Sequence, residues 1–371
     1  MIQISENIKR TRIKEELARR IVNGEFSFGE RFPGLHDLSR EYSVSYVTVS
    51  KAVKLLESEG YLRCQKGIGH FVCYVKPDQV TTKKVVNFIV GSAHYHCYKT
   101  LFLDGKRLFR ENGWQVNLLE SDPEELYSLV SHINSPDAYS ILCALNVNWE
   151  MFAATFGHVV RRVVVLGKLS GNPEITSIVA DEYETVRLCM KHFARMGRKK
   201  VALICARPKG ELELLRIAAW RNAVLDAGLS QAWVRRHCFS LDLETNSDAV
   251  ERVFKVYHGW LENRLEDADA VILPCYCRAF VAACKARGIA VPEHLAAVFI
   301  GREDKLIAAY PQIGFLDNNF RGHFQCALDI LEDRFHSGRC VAGSWYFCPP
   351  GGIISSAQAA KRKKQREACC K

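Results

Sequence analysis

Between Leu35 and Gly60 the apolar and polar positions fit two short helices joined by a tight turn at Ser43–Ser45. In the second helix Val49, Ala52, Val53 and Leu56 recur at i, i+3, i+4 and i+7 and make one apolar stripe. Ser45 stands where an N-cap belongs and Gly60 where a helix stops. The opposite face carries Tyr46, Thr48, Ser50, Lys51 and Lys54, which are hydrogen-bonding groups with basic charge toward the far end. Upstream, Ile8, Ile13, Leu17, Ile21 and Val22 keep approximate helical spacing, so a first helix is predicted over Ile4–Phe26. Downstream, Tyr61–Cys64 and His70–Tyr74 are strand-like runs around the Gly-containing connection Gln65–Gly69, a hairpin signal.

Helix, helix, helix, hairpin is a winged helix-turn-helix. Its last helix fits the major groove with its first turn at the base edges. That makes Tyr46, Thr48, Ser50 and Lys51 the candidate base readers, with the N-cap Ser45 beside them at the DNA and His36, Lys54 and Lys66 as phosphate contacts. Glycine at the hairpin tip, Gly67, permits close approach to the duplex.

At Val85 the pattern changes. Residues 77–84 are polar and read as a linker, and Val85–Gly91 is a β-branched run of the kind buried on both faces of a sheet. Further strands are predicted at Trp114–Leu119, Ser140–Leu145, Val163–Gly167, Val201–Cys205, Ala270–Leu273 and Ala297–Ile300. Helices fill the gaps at about Lys99–Asn112, then Asp122–Asn134, Tyr183–Arg195, Arg216–Ala227, Ser247–Asn263 and Arg278–Arg287. Regular alternation of this kind means an α/β fold with parallel sheets, and its extent favours two lobes.

The expected architecture is therefore an α+β winged helix-turn-helix N-terminal domain, residues 1–76, followed by a two-lobed α/β domain with parallel sheets over residues 85–356. Lobe 1 is drawn at about 85–197 and 305–336, and lobe 2 at about 198–304 and 340–356. Residues 357–371 are poor in bulky apolar groups and rich in charge, as in a disordered basic tail.

Composition narrows the function classes. The net charge of +10 is concentrated at the ends: residues 1–76 hold 13 Lys/Arg against 9 Asp/Glu, and 361–371 hold 6 against 1. An anionic partner at those places is implied. No run of about 18 apolar residues occurs, so no membrane span is expected. The polar start (Glu6, Lys9, Arg10, Arg12) is no secretory signal, which makes the cytoplasm the default. Fifteen scattered cysteines suit reduced core thiols better than a disulfide frame.

Two resemblances are specific. The run Val44-Ser45-x-x-Thr48-Val49-x-Lys51-Ala52-x-x-x-Leu56-Glu57-x-Glu59-Gly60, with a wing ending Gly67-x-Gly69-x-Phe71-Val72, resembles the DNA-binding domain of GntR-type bacterial regulators. Where that family has arginines, this chain has His36, Tyr46 and Ser50, so the resemblance carries the fold and not an operator sequence. Residues 85–356 resemble the effector domain of LacI/GalR-type repressors, itself related to periplasmic sugar-binding proteins. The matching stretches are Ile178–Asp181 with Met196–Ile204, Leu215–Trp220, and Gly288–Pro292 with Val298–Asp304. The pairing resembles the arabinose-repressor-like architecture. It implies a ligand-responsive repressor that binds an operator in double-stranded DNA as a homodimer and a sugar or sugar derivative in its effector domain.

Ligands of open α/β sheets sit beyond the carboxyl ends of strands. That rule selects Ser92, His94 and Tyr95, then Asn146, Asp181, Arg216, Tyr276 and Glu303. By resemblance Arg216 is the arginine that grips ligand oxygens, and Glu303 stands where the family usually has Asp. Cys275-Tyr276 replaces the family's Asn-Asp pair, which implies a ligand that is less polar or stacks on Tyr276; a degenerate pocket is the alternative. Trp220, one turn after Arg216, reads as core. Neither His94-Tyr95-His96-Cys97 nor Cys275-Tyr276-Cys277 has a standard metal spacing, so no metal or cofactor is expected. The serine-hydrolase, zinc-protease and phosphate-loop motifs are lacking, which argues against an enzyme; a carbohydrate-binding module or enzyme with an incidental DNA-binding head is the competing class.

Overall fold

The computed structural model describes residues 2–74, 84–121, 126–133, 135, 138–143, 147–157, 159–205, 210–241, 249–263, 267–274, 276–301, 304–339 and 341–354. Two compact units result, one of residues 1–179 and 320–346, the other of 180–319 and 347–371. The chain thus crosses between them three times.

The first unit opens with a helical head. It contains α1 (Ile2–Val22), α2 (Leu35–Glu41) and α3 (Tyr46–Ser58), then a hairpin of β1 (Leu62–Gln65) and β2 (Gly69–Val72). The apolar stripe of α3 meets Ile13, Leu17 and Ile21 of α1, Phe32, and Leu38 of α2 in one buried cluster. The first helix stops at Val22, short of Phe26, because Gly24 takes a left-handed φ of 82° and Phe26 turns back edge-on to Phe32.

The rest of the unit holds five parallel strands of a sheet, with α4 to α6 around it; a sixth strand, β13 (Trp345–Cys348), joins at the β7 edge. Its elements are β3 (Lys84–Val90), α4 (Ser92–Glu111), β4 (Trp114–Glu120), α5 (Val130–Ile133), β5 (Ala138–Cys143), α6 (Trp149–Thr155), β6 (Val163–Leu166) and β7 (Thr176–Ala180). Parallel pairing gives the order β7-β6-β5-β3-β4. On one face Ile89, Leu142, Val163 and Val165 pack with Phe152 and Phe156. On the other, Phe88 stacks on Phe324 and meets Phe109 edge-on.

The second unit holds α7 (Glu182–Arg195), β8 (Val201–Cys205), α8 (Glu211–Asp226), α9 (Gln231–His237), β9 (Cys238–Ser240), α10 (Ala249–Asn263), β10 (Ala270–Leu273), α11 (Cys277–Ala286), β11 (Ala296–Ile300), α12 (Asp304–Ala309) and β12 (Gly314–Asp317). The chain then returns to the first unit with α13 (Phe320–Ser337), forms β13 (Trp345–Cys348), and closes the second sheet with β14 (Gly352–Ile354). Strand order in the second sheet is β14-β12-β11-β10-β8-β9, parallel except for the β12–β14 pair. Along β8, Ala202 and Ile204 face one cluster while Val201, Leu203 and Cys205 face the other. Both faces are covered, which is why the run carries no polar residue.

Several sequence expectations shift. The helix drawn at Asp122–Asn134 is a 3-10 turn, Leu126–Leu129, running into the short α5. Helix α4 begins at Ser92, so His94 and Tyr95 lie in its first turns and not in a loop. Helices α7 and α12 and strand β12 fall in the second unit rather than in lobe 1, and the strands β7, β9, β12, β13 and β14 are not among those expected. Trp220 is core as read: fully buried, with Nε1 donating to the Val201 carbonyl at 2.7 Å. The expected linker lies outside the described residues except for Lys84, which starts β3; the basic tail lies outside them altogether.

Candidate nucleic-acid interface and effector-site residues

The turn between α2 and α3 is made by Ser43, which adopts a left-handed φ of 50°, and by Ser39, whose Oγ donates to the Val44 carbonyl at 2.6 Å. Ser45 follows as the N-cap of α3 and accepts from the Thr48 amide at 3.2 Å. Its Oγ also lies 2.8 Å from Thr48 Oγ1. This corrects the reading of Thr48 as an open base reader: the side chain is buried and its hydroxyl is engaged in the cap. Tyr46 and Lys51 are exposed, and Ser50 is half-buried. Val47, missed in the sequence because it is apolar, is 57% exposed in the first turn of α3, where it can meet a thymine methyl.

His36 on α2 lies against Tyr46, with ring centroids 4.8 Å apart, so two candidate contacts from different helices share one surface. Lys54 continues that surface toward the C-terminal end of α3. At the hairpin, Lys66, Gly67 and Ile68 are exposed, and Gly67 takes a φ of 79°. Arg31 braces the tip: Nη2 donates to the Ile68 carbonyl at 2.8 Å, and its backbone bridges to Phe71. The outcome is a stiff wing and an exposed helix start, both bearing donors and ammonium groups, which suits a duplex with a phosphate rail beside a groove.

In the second unit, Asp181 caps α7 by accepting from the Glu184 amide at 3.0 Å. Arg216 is buried, and its fork is already filled. Nε and Nη2 each lie 2.7 Å from a different oxygen of Glu182, and Nη1 lies 3.2 Å from Glu213. Burial opposes the charge, but the Glu182 carboxylate outweighs it and holds the guanidinium pKa above its ordinary value. The open ligand-gripping arginine of the sequence reading is therefore an internal ion pair here. Glu182 was missed. Its signal was an acidic residue directly after an N-cap Asp, in the first turn of a helix.

Tyr276 adopts a left-handed φ of 55° at the start of α11 and is half-buried against the core of its unit. The side chains of Ser92, His94 and Tyr95, and Asn146, Cys275 and Glu303 as whole residues, lie outside what is described.

Comparison with known proteins bears on both parts. Residues 9–72 match the family model described as bacterial regulatory proteins, gntR family. The arabinose metabolism transcriptional repressor of Geobacillus stearothermophilus is 24% identical over 117 residues, which is 32% of this chain and 32% of that protein. The match thus spans about a third of that relative's length. Among solved structures, a LacI family transcriptional regulator from Mycobacterium smegmatis aligns with a TM-score of 0.57 at 16% identity, over 72% of this chain and 96% of that one. The transcriptional regulator CelR in complex with cellobiose aligns at 0.58 and 15% identity, over 87% and 98%. The chain therefore carries a GntR-type winged helix-turn-helix followed by the α/β fold seen in LacI-family regulators.

Proposed function

We propose that this protein is a ligand-responsive DNA-binding transcription regulator, a repressor, that works in the cytoplasm as a homodimer on a two-half-site operator. The observation that carries this reading is the head: Tyr46, Val47 and Lys51 lie open at the start of α3, beside a wing braced by Arg31. Two heads are needed because one small module binds modestly and pairing adds effective concentration. Among the described residues no helix is long and apolar enough to cross a membrane.

The effector is a sugar or sugar derivative, bound by the α/β region. The cellobiose bound to CelR and the arabinose metabolism of the Geobacillus relative support that class. For such a ligand to control DNA it must favour one arrangement of the heads over the other. A second reading has its own observation: Glu182 already fills the fork of Arg216, which favours an effector site that does not use Arg216, or one that no longer takes a ligand.

The test is a mobility shift on the region upstream of its own operon, with Tyr46→Ala and Ser50→Ala beside wild type and arabinose, glucose and cellobiose as additives. Sequence-selective binding that either variant alters, and that one sugar relieves, is the expected result. Selective binding that both variants leave unchanged overturns the base-reading assignment. Calorimetry with the same sugars and Arg216→Ala separates the two effector readings.

A further inference from the structure

We infer that Arg161 is a latch that fixes the DNA-reading head to the α/β part of the first unit, so that the head is presented in one orientation and does not swing on its linker. The inference rests on the DNA-binding reading above and adds how the head is held.

Arg161 lies in a short 3-10 turn, Val160–Arg162, immediately before β6. The run Val159-Val160-Arg161-Arg162-Val163-Val164-Val165 puts two arginines in an otherwise apolar segment, and both are buried. A buried guanidinium persists only when its donors are satisfied. Those of Arg161 are satisfied largely by the head. Nη1 donates to the Leu62 carbonyl at 2.8 Å and to the Glu57 carbonyl at 3.4 Å, and Nη2 lies 4.0 Å from the Glu57 carboxylate. Nε pairs with Glu174 at 2.5 Å, on the α/β side. Glu57 belongs to the last turn of α3 and also accepts from the Cys64 amide at 2.9 Å. One side chain thus ties the end of the recognition helix and the first strand of the wing to the sheet.

The contact is wider than one arginine. Phe28 of the head packs on the cluster formed by Phe152, Phe156 and Val160, and Arg162 lies between the Phe28 and Tyr139 rings, 5.7 and 4.1 Å from their centroids. Arg63 of β1 is buried against Gly157, where an added Cβ would come within 2.8 Å of Nη2. Desolvation there pushes the Arg63 pKa down. Tyr46, Val47, Lys51, Lys54 and Lys66 remain exposed, so the latch contact does not itself bury the candidate DNA contacts. In a dimer, heads held rigidly read one half-site spacing, whereas free heads read many at lower affinity for each. Glu174 lies just before β7, the strand whose far end passes into the second unit at Ala180, so the latch has a covalent connection to Asp181 and Glu182.

The test uses the full chain in amide hydrogen exchange, comparing wild type with Arg161→Ala, Arg161→Lys and Phe28→Ala. In Arg161→Ala and Phe28→Ala, the peptides covering 57–64 and 159–163 are expected to exchange about 10-fold faster, while 38–53 in the head core keeps wild-type protection. Lysine keeps the charge but lacks the fork, so Arg161→Lys restores only part of the protection. Unchanged exchange in both truncations overturns the latch, as does equal loss of protection across 38–53. The second arm uses duplexes selected in vitro with wild-type protein and re-synthesised over a series of half-site spacings. Arg161→Ala should lose about 10-fold in affinity at the preferred spacing, flatten the spacing dependence and leave a single half-site bound as before. A wild-type protein that selects no duplex would refute the DNA-binding reading and leave the exchange result to decide the latch alone.

Discussion

Arg216 and Glu182 close on each other through two parallel hydrogen bonds, Nε and Nη2 each 2.7 Å from a carboxylate oxygen, with both side chains buried. A pair of this kind is costly to break from one side, because the survivor keeps its charge in a poorly solvated place. Arg216→Ala is expected to destabilise the protein by about 3–5 kcal/mol. Replacing both partners, Arg216→Met with Glu182→Leu, should recover most of that loss. Urea midpoints of wild type and the two variants check it; a loss under about 1 kcal/mol for the single variant would mean that the pair is solvated.

Ser45 serves two groups of one neighbour in the start of α3, the Thr48 amide and the Thr48 hydroxyl. Ser45→Ala removes both contacts and should cost about 1 kcal/mol of stability, the usual worth of an N-cap. Ser45→Asp restores the cap but sets a negative charge on the surface proposed to meet DNA. Equilibrium unfolding should therefore separate the alanine variant from wild type, while DNA affinity should fall for the aspartate variant despite its restored stability.

Gly343 passes directly over Ile175, and a Cβ there would lie 2.3 Å from the Ile175 carbonyl oxygen and 2.6 Å from its nitrogen. The obstacle is backbone and cannot rotate away. Neighbouring Ser344 accepts from the Ser177 amide at 3.0 Å, the contact that seats this segment beside β7. Gly343→Ala should therefore cost about 1–3 kcal/mol or more and loosen the approach to β13. A melting temperature within a degree of wild type would contradict this close approach.

Long, strongly patterned segments were legible in the sequence. The stripe on α3 follows from helical periodicity, the caps at Ser45 and Gly60 from residue type at its ends, and buried strands such as Val201–Cys205 from an unbroken apolar run; each is dictated by local burial or local backbone chemistry. Short strands such as Cys238–Ser240 and Gly352–Ile354 carry too few residues to show a period; sheet neighbours make them strands. Side-chain partners were the least legible. Position and resemblance marked Arg216 as a ligand residue, but whether its fork is open depends on Glu182, 34 residues away in sequence. Arg161 was overlooked for the same reason, since its acceptors at Leu62 and Glu57 lie about a hundred residues earlier.

His70, His192 and His237 each have a pKa lowered by burial. In the folded chain they keep the neutral form to lower pH than in the unfolded chain, where a histidine gains its proton near about pH 6.5. Stability should hold above that pH, decline as pH falls from about 6.5 toward the folded values, and flatten below them. His237 is fully buried, stacked on Trp233 with centroids 4.0 Å apart. His237→Phe keeps a ring in that stack and removes the titration, so the drop in urea midpoint between pH 7.5 and 5.5 should shrink. An equal drop in both proteins would assign the pH dependence elsewhere.

Lys51 and Lys54 are exposed along α3, three residues apart and so neighbours on one helical face. If both meet phosphates, each displaces condensed counterions and contributes about 0.9 to the slope of log affinity against log salt. The double variant Lys51→Ala with Lys54→Ala should weaken binding to every duplex by a similar factor and reduce that slope by about 2. Tyr46→Ala, by contrast, should leave the slope nearly unchanged and relax discrimination at one base pair, since a base contact releases few counterions. Titrations by fluorescence anisotropy from 50 to 200 mM salt, about the range over which such contacts are read, distinguish the two behaviours. A wild-type slope that survives loss of both lysines would move the phosphate contacts to Lys66 and the wing, and the recognition helix would then lie shallower in the groove.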